Sequence, residues 1–158
     1  MYKRVLVPLD GSELGESIVP LILEIAGPLD MAVVLVRVLE PVPPMAVEGT
    51  RHIVVDDLAG RRRDADGYLG PIAAGLRARG VDVNWEVRVG RPETEILAAA
   101  RAAGADLIAM STHGRSGLGR LLFGSVAEQV LRHAEVPVFL MRQHGRRPAA
   151  PQAEEIKR

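Results

Sequence analysis

Val81-Asp-Val-Asn-Trp-Glu-Val-Arg-Val89, then Gly90-Arg-Pro-Glu-Thr-Glu-Ile-Leu-Ala-Ala-Ala-Arg-Ala-Ala-Gly104, then Asp106-Leu-Ile-Ala-Met110, reads as strand, helix, strand. Val81, Val83, Trp85, Val87 and Val89 alternate with polar residues, the period of a half-buried strand. The polar face places this strand at a sheet margin. Gly90-Arg91-Pro92 is a turn with proline at the first helical position, where no hydrogen-bond donor is needed. Ile96, Leu97 and Ala100 give the helix one apolar stripe, and Gly104 ends it. Asp106 to Met110 is short and apolar, as a buried strand should be.

The same alternation extends in both directions. Arg4-Val-Leu-Val-Pro-Leu9 is an apolar run that stops at the turn Asp10-Gly11-Ser12, with Ser12 as a helix N-cap. Leu14, Ile18, Leu21, Ile22 and Ile25 follow at helical spacing, with Pro20 expected to kink the helix and Gly27-Pro28 to end it. Met31 to Leu39 is a strand covered on both faces, and Glu40 to Thr50, with three prolines, is a loop. Thr50 to Gly80 is helix-compatible, with Ile53, Leu58, Leu69, Ile72 and Leu76 as core candidates and a late start or a break near Gly70. Ser111 to Phe123 reads as a glycine-containing loop, Ser125 to Ala134 as a helix and Val136 to Met141 as a last strand.

Strands that alternate with helices imply an α/β fold: a single doubly wound domain, a five-stranded parallel sheet in the order 3-2-1-4-5, helices on both faces. Residues 1–142 form that domain, and 143–158 a polar, flexible tail. Ligands of such sheets bind beyond the carboxyl ends of the strands, where the strand order reverses. The loops after the first and fourth strands, at Asp10 and from Ser111 to Ser125, are therefore the candidate site.

Composition narrows the function classes. Hydrophobic residues at 47% can offset the entropy of ordering the chain, which excludes wholesale disorder. Twenty basic residues balance twenty acidic ones, so the basic excess of a general nucleic-acid or membrane-surface binder is absent. With no cysteine there is no thiolate metal site and no cysteine nucleophile. The N-terminal apolar run is too short for a signal peptide, and no run approaches the roughly 20 residues of a membrane span, so a cytoplasmic location is expected.

The stretch from Met110 to Glu128 runs from a strand end to a helix N-terminus, where unpaired N–H groups and a partial positive charge favour an anion. Gly114 and Gly124 allow close backbone approach to a phosphate, and Ser125 adds a hydroxyl. The same residues also read as a helix capped by its own Ser125 and Glu128, with no ligand. Neither a P-loop nor a dinucleotide fingerprint is present.

Gly114, nine intervening residues, Gly124 and Ser125 resemble the G-x2-G-x9-G-[ST] motif of the nucleotide-binding branch of the universal stress proteins, with Ser111 in place of the first glycine. The Val-Leu-Val-Pro-Leu-Asp opening, the Val-Arg-Val end of strand two, the Gly-Arg-Pro turn and the Val-Pro-Val-Phe-Leu ending extend the resemblance over nearly all of residues 1–142. The resemblance implies an ATP site, with AMP or ADP as other occupants. Pro8, Leu9 and Asp10 would line adenine and ribose, and Val38 would contact adenine. Met110, Ser111, His113 and Gly114 would form the ribose-phosphate turn, and Gly124, Ser125 and Val126 would hold phosphate. Asp10 would act near the phosphates through Mg²⁺, which favours carboxylate and phosphate oxygens. The resemblance also implies a homodimer formed through the last strand, Val136 to Met141.

Asp10 also reads as a simple turn cap, and Arg61-Arg62-Arg63 as a solvated helix face. Arg115 and Arg120 could close over phosphates or stay exposed. His113 has no acidic partner that would make it a general base, and His52, His133 and His144 lack metal-ligand spacing. The function expected is an ATP-binding regulatory or stress-response module; the alternatives are an interaction dimer without nucleotide and a slow ATPase.

Overall fold

In the computed structural model, which describes residues 2–42, 45–46, 53–54, 57–113 and 124–143, the apolar runs become strands β1 (Arg4–Pro8) and β2 (Ala32–Leu39). Two-residue strands β3 (Met45–Ala46) and β4 (Ile53–Val54) follow, then β5 (Val83–Val89), β6 (Leu107–His113) and β7 (Val138–Gln143). The five long strands form one sheet in the order β5-β2-β1-β6-β7, and every pairing in it is parallel. Numbered among themselves, they stand in the expected order 3-2-1-4-5. β3 and β4 make a separate antiparallel pair within and beyond the stretch read as a loop.

Helices α1 (Glu13–Glu16), α2 (Val19–Ala26) and α3 (Leu58–Arg77) precede β5; α4 (Pro92–Ala103) and α5 (Ser125–His133) follow it. Strand alternation sorts the core into two layers. Val5 and Val7 pack with Ile22 of α2 and Leu69 of α3, whereas Leu6 packs with Ile96 of α4 and Val130 of α5. Burial on both faces is why β1 and β2 carry continuous apolar runs. Edge strand β5 starts with Val83 buried and Asn84 exposed, but Trp85 to Val89 are all partly buried.

Several boundaries differ from expectation for local reasons. Pro20 does not kink one helix; the chain breaks at Ser17-Ile18, and Pro20 falls in the first turn of α2, where its missing N–H costs nothing. Ile53 belongs to β4 and not to a helix. α3 starts at Leu58, with the Asp57 carboxylate accepting from the Gly60 amide at 2.9 Å, and it runs unbroken through Gly70 and Pro71. Buried Ala65, Leu69, Ala73 and Leu76 hold it against the sheet, so packing overrides the weak local propensity. β6 continues to His113, so the first three residues of the expected loop are strand. No helix among the described residues is long and apolar enough to cross a membrane. The tail 144–158 lies outside the described residues.

Candidate functional site

The site begins with a strand that cannot keep pairing. The Leu9 amide donates to Val36 O at 2.9 Å, toward β2. By strand alternation the Pro8 nitrogen faces β6, and it has no hydrogen to give. β1 and β6 pair only at Val5–Leu107 and Leu6–Ile108. Beyond those pairs the strands part, at the point where the strand order reverses, and a cleft of about 510 Å³ opens between their carboxyl ends.

On the β1 side, the chain turns sharply through Gly11 at φ +85°. A side chain there would be strained, and its Cβ would lie 2.8 Å from the Arg37 guanidinium. Asp10 Oδ1 accepts from the Ser12 amide at 2.9 Å and the Ser12 hydroxyl at 2.6 Å. Ser12 in turn caps α1 by accepting from the Gly15 amide at 3.0 Å. Partial burial raises the Asp10 pKa, but the Ser12 hydrogen bonds and the charge of Arg37 outweigh it, so the carboxyl sits below the usual value.

On the β6 side, Met110, Ser111 and Thr112 reach the cleft. The Ser111 hydroxyl donates to Leu14 O of α1 at 2.5 Å and is therefore spent on the fold. Thr112 is 5% exposed, and its hydroxyl has no hydrogen-bond partner among the described residues. Opposite stands the start of α5. Gly124 is its N-cap, at φ −55° and ψ 151°, and no side chain caps it. The self-capping alternative is corrected here: Ser125 is the first helical residue, and the Glu128 carboxylate accepts from Arg132 at 2.9 Å. The amides of Ser125, Val126 and Ala127 precede the first intrahelical bond, and all three residues line the cleft. A Cβ on Gly124 would meet nothing within 4 Å.

Of the residues expected at the site, Pro8, Leu9, Asp10, Val38, Met110, Ser111, Gly124, Ser125 and Val126 all line this one cleft. His113 ends β6, and Gly114, Arg115 and Arg120 lie outside the described residues. Sequence reasoning missed Arg37, Thr112, Pro92 and Arg61. Arg61 is no solvated bystander: it lines the cleft and donates to Glu40 O at 2.8 Å. The only sequence signal for Arg37 was its interruption of an otherwise apolar strand.

The donor set fits a nucleotide. Apolar Val38, Met110 and Ile96 suit a purine face, the first amides of α5 suit phosphate, and Asp10 Oδ2 accepts no hydrogen bond from the described residues. No group of three or more acidic or histidine ligands occurs among the described residues. A Mg²⁺ ion here would therefore rely on Asp10 together with phosphate oxygens and water, its usual arrangement.

The profile of the universal stress protein family matches residues 1–142. A universal stress protein of Methanocaldococcus jannaschii, MJ0531, is 31% identical over 145 residues, covering 90% of this chain and 84% of that protein. The solved structure of protein MJ0577 from the same organism has a TM-score of 0.72 at 28% identity, covering 92% of this chain and 99% of that one. A universal stress protein solved in complex with cAMP shares the fold at TM-score 0.66 and 23% identity, over 89% of this chain and 97% of that one. A family profile that spans nine-tenths of the chain, the sheet order and the crevice at the strand reversal all agree: this chain belongs to the universal stress protein family.

Proposed function

We propose that this protein is an ATP-binding universal stress protein, a nucleotide-dependent regulatory or stress-response module, with AMP or ADP as alternative occupants of the same cleft. The observation that carries the reading is the uncapped N-terminus of α5 facing the same cavity as the Asp10 turn. Val38 and Met110 form the adenine wall, with Pro8 and Leu9 beside it. Asp10 accepts from ribose hydroxyls or holds Mg²⁺ against the phosphates, and Gly124, Ser125 and Val126 bind phosphate through their amides. Ser111 takes part through its backbone, with His113 and Gly114 completing the turn. A protein of the same fold solved with cAMP supports an adenine nucleotide as the ligand class.

Calorimetric titration with ATP and Mg²⁺ tests this reading, and saturable heat is the expected outcome. Mass spectrometry of freshly purified, denatured protein is expected to release an adenine nucleotide. No heat at millimolar ATP, with no nucleotide released, would overturn the reading.

The edge strand β7 favours a second property. Its outer side has no partner strand among the described residues, and Phe139 is 42% exposed on it. Such an edge invites pairing with another chain. The protein is a homodimer in this reading, and a monomeric mass by light scattering at micromolar concentration would contradict it.

A further inference from the structure

Arg37 is partly buried near the end of β2, with its guanidinium carbon 4.9 Å from the centre of the Tyr68 ring. It lines the cleft beside the Gly11 turn. The other two partly buried arginines among the described residues both have acceptors: Arg61 donates to Glu40 O, and Arg88 pairs with Glu86 and Glu95. The Arg37 guanidinium has no direct hydrogen bond or ion pair to any described residue, although its charge acts on the Asp10 carboxylate. Stacking on Tyr68 holds the group in place and commits none of its five N–H donors to a described residue. Those donors border the cleft, where an anion with several oxygens can take them up.

Position decides which anion. Leu35 belongs to the core layer of α2 and α3, and Val36 to that of α4 and α5. By alternation Arg37 therefore lies on the opposite sheet face from the α5 amides, across the crevice. A single phosphate held at Gly124 to Val126 would satisfy one side only. A chain of phosphates offers oxygens to both walls.

Building on the nucleotide reading above, we infer that Arg37 reads the terminal phosphates of the bound nucleotide, so that the cleft distinguishes ATP from AMP. The guanidinium offers paired donors to phosphate oxygens, while Tyr68 keeps its plane in place.

The test is calorimetry on the full chain with ATP·Mg²⁺ and with AMP, for wild type, Arg37→Met and Arg37→Lys. Arg37→Met is expected to weaken ATP binding roughly ten- to hundredfold and AMP binding less than about threefold, with Arg37→Lys between wild type and Arg37→Met for ATP. Equal weakening of both nucleotides would mean that Arg37 only supports the turn, and an unchanged ATP affinity would remove its role altogether; either overturns the inference. Wild type that binds neither nucleotide overturns the nucleotide reading itself, a result distinct from wild type binding ATP while Arg37→Met does so equally well. If Arg37→Met does not fold, the Arg37 Nε–Hε resonance of wild type, assigned with Arg37→Lys, decides the matter. It should shift with ATP and not with AMP, and no shift with ATP overturns the inference.

Discussion

Two strand-to-helix transitions face each other across the cleft, and they treat their polar groups in opposite ways. Where β1 gives way to α1, the protein satisfies itself: Asp10 holds Ser12, and Ser12 caps Gly15. Where α5 begins, Gly124 offers no side chain and no described side chain caps the helix. The glycines differ in the same sense. Gly11 is demanded by the fold, with φ +85° and a guanidinium where Cβ would stand. Gly124 has an extended conformation open to any residue and empty space around it. One glycine serves the backbone; the other stands on the cleft wall with no described atom where a Cβ would be.

The largest expected effect comes from filling that room. Gly124→Val should weaken ATP·Mg²⁺ binding by at least about a hundredfold in calorimetry, while costing only about 1 kcal/mol of stability from the poorer N-cap residue. If the variant binds normally, the two transitions do not differ in function. Gly11→Ala should do the reverse and act on the fold, at about 1–3 kcal/mol in urea denaturation, through a strained left-handed residue pressed on Arg37. Ser111→Ala connects the two sides, because the Ser111 hydroxyl on β6 is bonded to Leu14 O of α1. It should cost about 0.5–1.5 kcal/mol and leave nucleotide affinity within about twofold, because the lost hydrogen bond is structural.

The smallest effect is a pH dependence at the saturated turn. Burial raises the Asp10 pKa, but the Ser12 hydrogen bonds and Arg37 bring it below the unfolded value. A depressed folded pKa means that the ionised carboxylate stabilises the native state above the unfolded value of about 3.9, and that this contribution is lost as the pH falls through the lower folded value. Urea midpoints followed down through the acid range should therefore fall less steeply in Asp10→Asn than in wild type. Equal slopes would place the acid sensitivity elsewhere.

Much of the fold was legible because each strand and helix carries its own period. The Val83–Val89 alternation marked an edge strand, and the apolar runs at β1 and β2 marked buried ones. Local signals failed where two of them competed. Pro20 sat inside a helical stripe, yet a break that put it in a first turn satisfied both the proline and the stripe. The Ser125–Glu128 spacing suggested a capping box, but Gly124 took the cap position and Glu128 turned to Arg132. Nine of the expected site residues meet in one cleft because the order of strands forces the ends of β1 and β6 together. Arg37 and Thr112 escaped notice because a single polar residue in an apolar strand has no spacing to read.

By itself the sequence determined the alternating strands and helices, the burial of the central strands on both faces, and the glycine-spaced stretch that leads into α5. These depend on periodicity, turn chemistry and glycine spacing, all written locally. Only the tertiary structure decided that β1 and β6 part after Leu6, that the Ser111 hydroxyl donates to α1, that no described side chain caps α5, and that the Arg37 guanidinium stacks on Tyr68 at the cleft. Each of these depends on which groups from distant parts of the chain arrive within hydrogen-bonding distance, and that is a property of packing and not of any one segment.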